Sequence, residues 1–123
     1  MNVALWIVQI LLALLFVSVG AMKVIQPKDR IVKSLAWAAD FSPTAIKLIG
    51  LVEILGALGL VLPAATGIAT ILTPLAAVGL AIVMVGAIIT HARRGERLMI
   101  GGNVGWLLLS LFVAWGRFGP YPL

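Results

Sequence analysis

In "IKLIGLVEILGALGLVLP", residues 46–63, one side chain has chemistry its neighbours lack: Glu53, a carboxyl in an apolar run interrupted otherwise only by Lys47. An acid inside a membrane segment binds a polar ligand, passes protons or joins helices by hydrogen bonds, and intramembrane acids are by default read as functional. Few residues have types that could act with it. Gln9 lies in the first apolar run and Ser110 in the last, while Lys23, Lys47, Thr90, His91, Arg93, Arg94, Glu96 and Asn103 gather where apolar runs end. His91 stands out among these, because a histidine at a membrane boundary exchanges a proton near neutral pH. Glu53, His91, Gln9, Lys23 and Asn103 are therefore the expected ligand-binding or proton-linked residues.

Other chemistries are excluded. The chain has one histidine and no cysteine, so disulfides, iron–sulfur clusters, thiolate zinc sites and bis-histidine haem cannot be built from it, and no metal is expected. It offers no nucleophile–base pair, phosphate-binding glycine loop or paired acids. Catalytic residues are accordingly not identifiable, and no activity of the isolated chain is expected.

These side chains must be positioned in lipid. Of 123 residues 63% are hydrophobic and 11% charged, a composition with too few polar groups to cover a water-soluble domain. About 20 helical residues cross about 30 Å of hydrocarbon, and four runs suffice: about 3–22, 44–62, 68–89 and 100–115. Stretches such as 10–16 are apolar on both faces, which excludes an alternating β-barrel strand. The expected fold is an all-α integral membrane four-helix bundle forming one domain over 1–123, with the first run retained rather than cleaved.

Between the first two runs, Ile31, Val32, Leu35, Ala38 and Ala39 recur at helical spacing after Pro27, which predicts a short interfacial helix over about 27–39 with Trp37 and Phe41 at headgroup level. Ser42-Pro43 reads as cap and first turn of the next span. "PAATG" at 63–67 reads as a tight turn, and Thr73-Pro74 leaves the start of the third span open. Gly50, Gly56, Gly59 and Gly79 are expected to let helices approach closely.

The net charge of +5 is a topology signal rather than a nucleic-acid footprint. Lys23, Lys28, Arg30, Lys33 and Lys47 flank one connection, and Arg93, Arg94 and Arg97 another on the same side; the opposite side has only Arg117. The positive-inside rule places the basic loops in the cytoplasm and both termini outside. The same cations suit anionic lipid headgroups.

Insertion of Glu53 is affordable. A central charge costs roughly 2.5–3.5 kcal/mol, and each Leu, Ile, Val or Phe returns roughly 0.3–0.6; eleven such residues lie between positions 44 and 62. Depth along the helices suggests Gln9 and Ser110 as hydrogen-bond partners of Glu53, whereas Lys23 and His91 are on the order of 15 Å away along the membrane normal. A direct ion pair is thus not expected, and an unpaired Glu53 would hold its proton or a water.

Gly20-x-x-Lys23, "DFSP" at 40–43, Gly50-x-x-Glu53-x-x-Gly56-Ala57-x-Gly59-Leu60-x-Leu62-Pro63, "LTPLAAVGLA" at 72–81 and the stretch from His91 to Glu96 together resemble the DoxX-like family of small bacterial membrane proteins. The resemblance implies a four-helix membrane bundle whose founding relatives are small subunits of archaeal quinol-linked thiosulfate or terminal oxidase systems. Since this chain has no haem-ligand pair of its own, any electron-transfer role would need a redox partner subunit or a bound quinone, and a pocket at Glu53 would suit a quinone-like or lipid-like molecule. Three functions compete: an accessory subunit with a pocket at Glu53, a small proton-linked carrier or channel acting as a homo-oligomer, and a structural membrane scaffold.

Overall fold

The computed structural model describes all of residues 1–123. It is wholly helical: α1 (Asn2–Ile25), α2 (Lys28–Ser34), a 3-10 helix (Ala36–Asp40), α3 (Pro43–Thr66), α4 (Leu72–Arg93) and α5 (Arg97–Phe118). All but α2 and the 3-10 helix are long and apolar enough to span a membrane, and their outer faces expose Leu, Ile and Val that only lipid would cover. The helices run up and down in a ring. α1 packs chiefly on α3, α3 on α4 and α4 on α5, while α1 and α5 touch sparingly.

Local chemistry sets the boundaries. The Ser42 side chain accepts the Ala45 N–H (3.1 Å) with Pro43 in the first turn, so α3 starts as expected. It does not end at Leu62. Pro63 lies inside α3, which runs on to Thr66 and stops at Gly67, left-handed with φ 72°. A proline cannot bond the carbonyl four residues back, and here Thr73 Oγ1 donates to that orphaned Gly59 carbonyl at 2.9 Å. One threonine on α4 thereby lets α3 continue, and α4 itself starts at Leu72, with Thr73-Pro74 in its first turn.

The expected helix over 27–39 is instead α2 and a 3-10 turn, broken at Leu35 (φ −126°, ψ 88°). The break turns Ile31 and Ala38 onto Ile46 of α3 in a small buried cluster. Trp37 and Phe41 meet edge to face at 5.4 Å. Both are half-buried and fold inward over the end of α1.

The two halves of the bundle differ. Toward the chain termini, Leu12, Phe16, Ala57, Leu60, Ala77, Leu80, Met84, Val113 and Ala114 form the core. Toward the basic loops the core gives out: the buried residues of α5 are Ser110, Val113, Ala114, Gly116 and Arg117, none of them between 97 and 109. That half of α5 walls a cavity.

Candidate functional site

The crossing of α1 and α3 builds the site. A Cβ on Gly20 would stand 2.6 Å from the Gly50 carbonyl, and one on Gly50 would stand 2.7 Å from both the Gly20 carbonyl and Lys23 Cβ; the backbones meet where both residues lack a side chain. Lys23 Cβ therefore lies beside Gly50, one helical turn from Glu53. The lysine stem spans the remainder, and Nζ donates to Glu53 Oε1 at 2.5 Å, with Lys23 5% and Glu53 2% exposed. The expectation of a separation near 15 Å fails because it compared Cα levels; the glycine crossing and the reach of lysine close the gap. With Lys23 on it, Glu53 is not the unpaired acid expected either. The Trp37 ring covers the ammonium at 5.1 Å from its centroid, a cation–π contact that helps keep the lysine turned inward.

Gln9 and Ser110 are not partners of Glu53. Ser110 Oγ donates to the Trp106 carbonyl of its own helix at 2.9 Å. Gln9 serves a second polar cluster at the opposite end: Nε2 donates to the Leu60 carbonyl (2.7 Å), and Oε1 accepts from Arg117 Nε (2.8 Å). Arg117 Nη1 also reaches Asn2 Oδ1 (2.7 Å) and the Tyr121 carbonyl (3.1 Å). This 3%-exposed arginine pins α5 to α1 at the terminal end. Charge counting treated it as a topology marker alone; its lack of any acid nearby in sequence was the signal that neutral oxygens must hold it.

At the basic end, α4 closes with Gly95 at φ 70° and the Glu96 N–H bonded to the His91 carbonyl at 2.9 Å, a Schellman turn. The turn returns the Glu96 carboxylate to its own helix end, where Oε1 meets His91 Nδ1 (3.0 Å) and Arg94 Nε (3.2 Å). Arg94 Nη1 in turn donates to Asp40 Oδ2 of the 3-10 turn at 2.8 Å. The hydrogen bond from Arg94 to Asp40 raises the Arg94 pKa, so the guanidinium keeps its charge.

Lys23, Glu53, His91 and Asn103 all line one cavity of about 510 Å³ between α1, α3, α4 and α5, with Trp37 and Phe41 at the basic-loop end and Phe16, Met84 and Trp106 among its apolar walls. The size falls within the range of small-molecule sites, roughly 300–1,000 Å³. The Asn103 Nδ2 is buried without a hydrogen-bond partner. Among the glycines, Gly56 packs against Leu80 and Gly59 against Ala76, but Gly79 has nothing within 4 Å of where its Cβ would be; it is not a helix contact, and lies on a shallow groove between α3 and α4.

Neither a curated protein nor a solved structure matches this chain. A family model described as the DoxX-like family matches residues 7–113, which take in every residue of the cavity. With four apolar helices long enough to span a bilayer and that match over most of its length, the chain is a small membrane protein of the DoxX-like family.

Proposed function

We propose that the chain is an accessory membrane subunit that holds a quinone-like or lipid-like molecule in the cavity at Glu53, beside a redox partner subunit, with its basic loops in the cytoplasm. The observation that carries the reading is the convergence of Glu53, Lys23, His91 and Asn103 on one mainly apolar cavity that no side chain of the protein fills. A few convergent polar groups in an apolar, aromatic pocket are what a flat amphipathic ligand requires. A proton-linked carrier is the weaker alternative. Between the Glu53 cluster and the Arg117 cluster stand Leu12, Phe16, Leu60 and Leu80, all buried, and a single chain gives protons no polar route through them.

The test uses protein reconstituted in vesicles, with Trp6 and Trp115 replaced by phenylalanine so that only Trp37 and Trp106 report. A decyl-substituted benzoquinone is expected to quench them saturably, and Glu53→Gln to weaken the apparent affinity about tenfold, the equivalent of about 1.4 kcal/mol. Quenching that rises linearly with quinone and ignores the substitution would defeat the reading.

A further inference from the structure

We infer that the cavity is loaded sideways from the bilayer, between its helices, and that it takes an uncharged head whose acceptor oxygen is bound by Asn103. The inference rests on the proposed function and narrows it.

The route follows from which walls are closed. α1 and α5 are joined at the terminal end, where Gly116 receives Leu5 and Arg117 holds Gln9 and Asn2. In the other half Leu15 and Val19 on α1, Leu48 and Val52 on α3, and Met99 and Trp106 on α5 line the cavity, and all six remain half-buried or exposed. The end facing the basic loops is stopped by Leu35, Trp37 and Phe41. That plug is anchored by Ile31 and Ala38 on Ile46 and tied to the α4–α5 turn by Arg94 and Asp40. Openings between the helices, toward lipid, are what remains, so the ligand is a molecule dissolved in the membrane.

The head group follows from charge and hydrogen bonding. Lys23 and Glu53 cancel one another, whether the shared proton sits on nitrogen or oxygen, and His91 is already engaged by Glu96. The remaining lysines and arginines lie outside the lining, so no spare cation awaits a phosphate. What the lining does leave unsatisfied is a donor: Asn103 Nδ2 is buried without a partner at the cavity wall, and a half-turn of the amide about χ2 faces it into the cavity. A carbonyl or ester oxygen satisfies it; a phosphodiester would bring a charge with no counter-charge.

The experiment uses the full chain carrying the same two Trp→Phe changes, in phosphatidylcholine nanodiscs, and two probes with identical dibrominated acyl chains. One is a monoacylglycerol, which is uncharged; the other is lysophosphatidylglycerol, which also has one chain and is anionic. Bromine quenches tryptophan at short range. The monoacylglycerol is expected to saturate the quenching at a mole fraction at least about tenfold below that of lysophosphatidylglycerol. Asn103→Leu should abolish this preference and Asn103→Gln restore part of it, with the circular dichroism of both variants unchanged. Val19→Phe and Val52→Phe, which narrow the cavity mouth on α1 and α3 without adding a tryptophan, should together slow the onset of quenching. Equal affinity for the two probes, or a preference indifferent to Asn103→Leu, would overturn the inference while saturable binding left the cavity reading standing. If neither probe nor the benzoquinone saturates, both fall.

Discussion

Replacing Lys23 alone should destabilise the protein more than replacing Lys23 and Glu53 together. Both are almost fully buried and joined by one 2.5 Å hydrogen bond, and removing one member of such a pair leaves a desolvated charge, at about 3–5 kcal/mol, whereas removing both does not. Lys23→Met should therefore lower the unfolding midpoint sharply, and Lys23→Met with Glu53→Leu should regain most of it, read by thermal unfolding in detergent. Singles that sum to the double would mean the two do not interact. The exposed tie between Arg94 and Asp40 behaves differently. A raised arginine pKa means its contribution is complete below the ordinary arginine value and lost only as pH climbs through the raised one. The small effect of Arg94→Gln should be the same from roughly pH 8 to pH 10. An acid out of place in an apolar run is visible in any sequence, and so Glu53 was. Its partner was not, because which residue meets it depends on where two helices cross.

At the scale of elements, the glycines separate into those a neighbour needs and those it does not. Gly20 and Gly50 bring backbone to backbone, so Gly50→Ala should push α1 from α3, cost about 1–3 kcal/mol and loosen the Lys23–Glu53 bond with them. At Gly56 and Gly116 the obstacle is a leucine side chain that can rotate, and milder losses are expected. Gly105, with open space where a Cβ would be, should accept alanine with a gain of up to about 1 kcal/mol from helix propensity. An order of stability other than Gly50→Ala below Gly56→Ala below Gly105→Ala would refute this division. The spans were readable from hydropathy because length and apolarity alone define them. The passage of α3 through Pro63 was not, since it depends on Thr73 from the next helix; nor was the break at Leu35, which serves a contact with Ile46.

The whole molecule is packed at one end and hollow at the other, with most of its buried polar residues divided between a clamp at Arg117 and a cavity at Glu53. A cysteine-free chain makes its orientation straightforward to test. A cysteine placed at Lys28 or Arg93 should react with an impermeant maleimide only after the cytoplasmic side is opened, and one at Leu123 from outside in intact cells; the reverse pattern would invert the proposed topology. Bundle, spans and family could be read in the sequence because lipid imposes them. The cavity could not, because it arises where helix faces do not meet, and absence leaves no periodicity. The most direct measurement is native mass spectrometry of the full chain released from the membranes in which it was made. The account predicts one small, uncharged, membrane-soluble molecule retained per chain and lost on Asn103→Leu or Glu53→Gln. A chain that emerges bare, or that carries only phospholipid in amounts those substitutions do not change, would contradict it.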